Sequence, residues 1–195
     1  MAKKNQLTTA DYLPYDEYKR LLDCLHNDGL YEWELYALVS FCTACRVSDV
    51  VRFKWKDIIG MEKVTVTEKK TGKTRAIPLN DSVQEKIMEL YKLMDRPGLE
   101  WYVFGNKREG VPVCREYINR KLKEFKERYS LRIGNFSTHT FRKTFGRYFY
   151  EMKKESPEAI FLLSLVFKHS SPAITQRYIG VTKDEISSVF SSIAL

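Results

Sequence analysis

The sequence predicts a mainly α fold of the α+β kind, a helical core carrying one small β-hairpin. Three observations lead there. Apolar residues recur at helical spacing over most of the 195 residues. Period-two alternation is clear in one place, residues 64–67, and resumes at 75–79 beyond Lys70-Thr71-Gly72-Lys73, the signature of a hairpin. No internal repeat, low-complexity tract or Gly/Pro/Ser-rich linker divides the chain, so one domain is expected.

Taken in order, residues 1–12 are polar and expected to be a loose N-terminus, with the folded domain spanning 13–195. Pro14 opens a helical pattern from Tyr15 to about His26, with Tyr18, Leu21, Leu22 and Leu25 on one side. Asn27-Asp28-Gly29 ends it. A second helix is expected over 31–45, where Leu35, Leu38, Val39, Cys42 and Cys45 recur at helical spacing. The hairpin follows. Helices are then expected at 81–94 and 113–129, with a short strand-like Tyr102-Val103-Phe104 between them. The last third reads as helices at 139–153, 157–167, 172–178 and 183–193. Ser156-Pro157 and Ser171-Pro172 each pair an N-cap with proline at the first helical position. Thr182 and Glu185 have the spacing of a capping box.

Composition excludes several classes. No run approaches the ~18 apolar residues of a membrane span, and the Met-Ala-Lys-Lys-Asn-Gln start is too polar for a secretory signal. Aromatic residues, 13% of the chain, are spread along its whole length and argue against disorder. The four cysteines (Cys24, Cys42, Cys45, Cys114) have no framework spacing, which suggests a reducing cytoplasm. Cys42-x-x-Cys45 lies on an amphipathic helix with no second pair, so it reads as packing rather than redox or zinc chemistry.

With 33 Lys+Arg against 25 Asp+Glu the net charge is +8, which makes a polyanion the first partner to consider. Residues 107–132 hold nine Lys/Arg and four Asp/Glu. On the 113–129 helix, Cys114, Ile118, Leu122, Phe125 and Tyr129 form an apolar stripe. Arg115, Arg120, Lys123 and Lys126 lie off it. Lys69, Lys70, Lys73 and Arg75 surround the hairpin tip. Clustered cations of this kind suit a surface that tracks phosphates.

Four places break the ordinary pattern. Extending the second helix puts Arg46 on its apolar face, where a guanidinium needs a partner such as Asp49 or awaits an anion. His139 and Arg142, three residues apart at a helix start, lie beside or away from the stripe Phe141, Phe145, Tyr148, Phe149 and Met152. Gly146, one turn later, costs ~1 kcal/mol relative to alanine, which suggests that something approaches that face closely. His169 stands at a helix junction, and Tyr178 follows nine residues on. Two arginines can clamp the non-bridging oxygens of a phosphodiester. Lysine and histidine can move protons, and an activated tyrosine is a competent nucleophile.

Thr43-Ala-Cys-Arg46-Val-Ser-Asp49, Lys70-Thr-Gly, His139-Thr-Phe-Arg142 and His169-Ser-Ser-Pro…Tyr178 occur in one order. This set resembles the catalytic domain of the tyrosine recombinases, the phage integrase family, over nearly the whole chain from Leu13. The resemblance implies a site-specific DNA recombinase that needs no metal, ATP or other cofactor. Arg46 and Arg142 would bind the scissile phosphate, and Lys70 would protonate the leaving 5′ oxygen. His139 would assist proton transfer with Tyr178, and His169 would bond a phosphate oxygen. Tyr178 would form a 3′-phosphotyrosyl ester. Double-stranded DNA and, on it, a homotetramer assembled from monomers are the implied partners, at the nucleoid in the cytoplasm. The last helix, 183–193, would dock on a neighbouring protomer.

Three departures stand out. Cys45 and Lys168 replace glycines usual in the family, and Lys168 follows a helix end where glycine adopts the left-handed conformation. Lys168 would be strained there, or would add a phosphate contact. Only about twelve residues stand where most members carry an N-terminal DNA-clamping domain of ~100 residues, so the chain is expected to be either a minimal member, like the fimbrial phase-switch invertases, or a piece of a longer protein. Two other readings share these residues: a site-independent topoisomerase of type IB, and a DNA-binding regulator without catalysis.

Overall fold

The computed structural model describes residues 10–69, 72–106, 110–153 and 156–181. At its centre lies α2 (Tyr31–Thr43), whose residues 34–41 are buried in an unbroken run. A helix apolar on every side must be enclosed, and α1 (Tyr15–Asn27), α5 (Asp81–Leu93) and α7 (Thr140–Met152) pack around it. Glu34, buried on α2, is satisfied by His26 Nδ1 at 2.8 Å and Lys86 Nζ at 3.0 Å, which ties α1 and α5 to it. On one flank sit two single-turn helices, α3 (Val47–Val50) and α4 (Trp55–Ile58). They lead to the antiparallel hairpin β1 (Lys63–Thr67) and β2 (Thr74–Pro78), paired from Lys63↔Pro78 to Thr67↔Thr74. Val64 and Val66 face the core. A second, two-residue pairing joins β3 (Gly105–Asn106) to β4 (Val111–Pro112). Next comes α6 (Arg115–Arg128), which buries Ile118, Leu122 and Phe125.

A smaller apolar cluster holds the end of the chain. There α8 (Pro157–Phe167) and α9 (Pro172–Ile179) pack Ile160, Leu163, Phe167 and Ile179 against Tyr150 and Ala44. Both helices start as expected: Ser156 Oγ accepts from the Ala159 amide at 3.2 Å, and Ser171 Oγ from Ile174 at 3.4 Å. Between the two clusters, α7 touches both, with Phe141 in one and Tyr150 in the other. At Gly146 the helix lies close against α8 and α9. A Cβ there would lie 2.6 Å from Ile179 Cγ2 and 2.8 Å from Phe167 Cζ.

Several expectations are corrected. The second helix stops at Thr43 rather than Cys45, because Ala44 turns left-handed (φ 49°). Thr43 Oγ1 takes the Cys45 amide at 3.3 Å in place of a further helical turn. Periodicity therefore cannot place Arg46, which precedes α3 in extended conformation. The strand expected at 102–104 is a single bridge between Tyr102 and Lys54, and the true pairing begins at Gly105. Cys114 is exposed and precedes α6 rather than packing within its stripe. On α7, Met152 is 53% exposed while Tyr150 is buried, since two clusters rather than one solvent boundary set that helix's faces. Within the expected loose start, residues 10–12 are held. The Asp11 amide donates to Asn135 O at 3.0 Å, and the neighbouring Leu13 amide to Thr144 Oγ1 at 2.9 Å. The expected helix at 183–193, with its capping box, lies outside the described residues. Among those residues no helix is long and apolar enough to cross a membrane.

Candidate active site

Three chain reversals meet where α7 begins. The first is the left-handed Ala44 turn that delivers Arg46. The second is the end of α8, where Lys168 is left-handed (φ 53°, ψ 46°). Its amide donates to Leu165 O at 3.2 Å, and the His169 amide to Ser164 O at 3.0 Å. This Schellman arrangement closes the helix and sets His169 beside it. The third is the Ser171-Pro172 start of α9, from which Tyr178 follows nearly two turns on.

Arg142 joins the first two of these reversals. It is 4% exposed, and its guanidinium donates from Nη1 to Ala44 O and from Nη2 to Phe167 O, the latter at 2.9 Å. Its carbon lies 4.5 Å from the Phe167 ring centroid. Two of its five N–H groups are thus spent on orphan carbonyls at chain turns, and the guanidinium also hydrogen-bonds the Tyr178 phenol. Arg142 is therefore turned inward, not beside or away from the packing surface. Arg46 is half-buried, with Nη1 3.3 Å from Glu68 Oε2. Its partner is Glu68, not Asp49, which instead takes the Lys69 amide at 3.0 Å.

His139 stands at the N-cap of α7, its Nδ1 3.4 Å from the Tyr178 hydroxyl. His169 Nδ1 hydrogen-bonds Thr175 Oγ1 at 2.9 Å, and its ring meets that of Tyr178 edge-on at 5.0 Å. Lys143 Nζ lies 5.1 Å from the Tyr178 ring centroid. Five sequence-predicted residues, Arg46, His139, Arg142, His169 and Tyr178, therefore converge. The sixth, Lys70, lies outside the described residues.

The charges act in one direction. Desolvation, reinforced by the Arg142 and Arg46 charges, pushes His169 down to about 4. His139 is lowered too, by desolvation first and then by Arg142, Lys143 and Arg46. Both imidazoles are neutral near pH 7. Burial raises the Tyr178 phenol, while the charge of Arg142, its hydrogen bond to the phenol and the charge of Arg46 pull it back. A cationic floor beside a protonated phenol and neutral imidazoles can bind an oxyanion and pass the phenol's proton to a base.

The cations predicted to bind DNA divide into two groups. Lys69, Lys73, Arg115, Arg120 and Lys123 are exposed, with Arg115 paired to Glu116 and Arg120 over the Tyr117 ring. Arg75 and Lys168 are directed differently. Arg75 Nη1 donates to Val166 O at 3.0 Å, and its Nε lies 3.5 Å from Glu68 Oε1. Lys168 Nζ is 3.0 Å from the same oxygen. Sequence reasoning missed Glu68, although a signal was present. It continues the inward alternation Val64, Val66, and a carboxylate at an inward position requires cations.

Residues 11–185 match the phage integrase family. A probable integrase/recombinase, YoeC of Bacillus subtilis (strain 168), is 36% identical over 142 residues, 73% of this chain and 74% of that protein. Among solved structures, the XerH recombinase in a post-cleavage complex with its palindromic difH substrate superposes with a TM-score of 0.71 at 16% identity, over 96% of this chain and 55% of that one. The XerA recombinase gives 0.71 at 19% identity, over 94% and 65%. A lambda integrase dimer bound to a core site gives 0.65 at 20% identity, over 94% and 63%. The chain thus spans less than two thirds of each of these three solved proteins.

Proposed function

The chain belongs to the phage integrase family, and from that premise we propose that it is a site-specific DNA recombinase acting through a 3′-phosphotyrosyl intermediate. The observation that carries this reading is the 3.4 Å approach of the Tyr178 hydroxyl to His139 Nδ1 beside two arginines. Arg46 and the remaining donors of Arg142 clamp the non-bridging oxygens of the scissile phosphate and hold the charge of the pentacoordinate transition state. Neutral His139 accepts the phenol's proton through Nδ1 as the Tyr178 oxygen bonds to phosphorus. The bond to the 5′ oxygen breaks, and Lys70 supplies the proton that oxygen needs. His169, held by Thr175, donates to a phosphate oxygen. The ester conserves the energy of the broken phosphodiester, so a second strand's 5′ hydroxyl can displace Tyr178 without ATP or a metal ion. Exposed Lys69, Lys73, Arg115, Arg120 and Lys123 follow the flanking DNA backbone. Four protomers assemble on the DNA, and integration, excision or inversion depends on how the sites are arranged.

Covalent capture tests the reading. Wild-type protein and Tyr178→Phe are incubated with nicked duplexes of randomised sequence and separated under denaturing conditions. Wild type is expected to retain a selected set of duplexes covalently, while the Phe variant binds them without capture. Equal capture by both proteins, or capture by neither, would overturn it. Relaxation of any supercoiled plasmid by the wild type alone would favour the topoisomerase reading instead.

A further inference from the structure

We infer that Glu68 is a positioning residue of the active centre, its carboxylate locking Arg46 in place and joining the hairpin to the turn that carries His169. The inference rests on the recombinase reading for its effect on cleavage, though not for the geometry itself. Glu68 is 2% exposed, on the inward face one residue beyond β1. Its two oxygens receive Arg46 at 3.3 Å, Lys168 at 3.0 Å and Arg75 at 3.5 Å. Each cation comes from a different element that bears on the site. Arg46 precedes α3, Arg75 lies on β2 and also holds the last turn of α8 through Val166 O, and Lys168 immediately precedes His169. Glu68 itself is two residues before Lys70 in the sequence.

Two features argue that this is more than a surface ion pair. A carboxylate so enclosed is stable only when paired, and among the described residues three cations meet it, a surplus of positive charge that suits a phosphodiester. Lys168, moreover, occupies a left-handed backbone position (φ 53°) that glycine adopts freely. A lysine bears that conformational cost here and sends its ammonium to Glu68. With the carboxylate neutralised, the three cations repel, and the tie between β1, β2 and the end of α8 loosens. Arg46 then loses its fixed orientation toward the phosphate.

The test uses Glu68→Gln, Lys168→Gly and Lys168→Arg with two readouts. In arginine-labelled protein without DNA, guanidinium NMR signals of Arg46 and Arg75, assigned with Arg46→Lys and Arg75→Lys, should be protected in wild type. Glu68→Gln should lose those of Arg46 while keeping those of Arg142 and of the Arg75 group bonded to Val166 O. On the nicked duplexes captured by wild type, the single-turnover cleavage rate should fall about tenfold or more in Glu68→Gln and Lys168→Gly. DNA affinity should change far less. Lys168→Arg should restore the rate, and Lys168→Gly, freed of backbone strain, should melt no lower than wild type. Retained Arg46 signals in Glu68→Gln would overturn the inference, as would wild-type cleavage by Lys168→Gly or a faster rate in Glu68→Gln. So would a Lys168→Gly rate loss that tracks a fall in Tm and is not rescued by arginine. If wild type captures no duplex, the recombinase reading fails, while the guanidinium signals still decide Glu68. If Glu68→Gln does not fold, the Lys168 variants decide.

Discussion

Replacing Gly146 by alanine tests how tightly the nucleophile's helix is held. The added Cβ would stand 2.6 Å from Ile179 Cγ2 and 2.8 and 2.9 Å from two Phe167 ring atoms, whereas ordinary contact begins at 3.4 Å. Ile179 must therefore retreat by about 0.8 Å and the Phe167 ring by about 0.6 Å. Both side chains are fully buried, so neither can swing out into solvent. Alanine adds about 1 kcal/mol of helix propensity, and overpacking costs about 1–3 kcal/mol, so the net loss of stability should be roughly 0–2 kcal/mol. The effect on cleavage should be larger in proportion. Ile179 adjoins Tyr178, and a displacement approaching 1 Å at a reacting group costs about a hundredfold when geometry sets the rate. The assays are urea unfolding and single-turnover cleavage of a captured nicked duplex, with DNA binding as control. The expected outcome is a small stability loss, near-normal binding and a rate down about ten- to a hundredfold. In an Ile179→Ala background the same substitution should cost less, because the obstructing methyl is gone. Wild-type cleavage with equal or higher stability would refute the claim that α7 and α9 meet without slack.

Other consequences can be measured alongside. Arg46→Ala and Arg142→Ala should each slow cleavage by about a hundredfold or more through loss of a preorganised donor. Only Arg142→Ala should also cost several kcal/mol in denaturant unfolding, roughly 2–4, because it strands the buried carbonyls of Ala44 and Phe167. His169 titrates near 4 in the folded protein against about 6.5 unfolded. The unfolded chain therefore binds the proton first, and stability complete above pH 6.5 is lost as pH falls toward 4. His169→Asn should flatten the Tm profile across that window, and parallel profiles would contradict the assignment. Ser171→Ala removes the cap of α9 and should lower unfolding stability by about 1 kcal/mol, a change readable in urea.

How legible the molecule was depends on where each constraint originates. Helix starts with a Ser-Pro signature were read to the residue, because the cap and the proline act within one turn of themselves. The hairpin was equally clear, since alternation and turn chemistry are local. The end of α2 was misread by two residues: apolar spacing continues through Cys45, and nothing in that spacing announces a left-handed Ala44. The helical face expected to present Arg46 does not exist, because a turn rather than a helix delivers it. Charge alone does not tell direction, and Arg75 and Lys168 both reach a protein carboxylate. Only the buried position of Glu68 turns them inward.

The residue types for phosphate chemistry and their order along the chain are properties of the sequence itself, as are the helical class and the surplus of positive charge. Tertiary structure alone decided that Arg142 spends two donors on distant carbonyls, that His139 meets a phenol 39 residues away, and that one carboxylate gathers three cations. The physical reason is range. Propensity, capping and alternation act over a few neighbours. The partners of a buried charge are chosen by whichever elements packing brings within about 4 Å, at any separation along the chain.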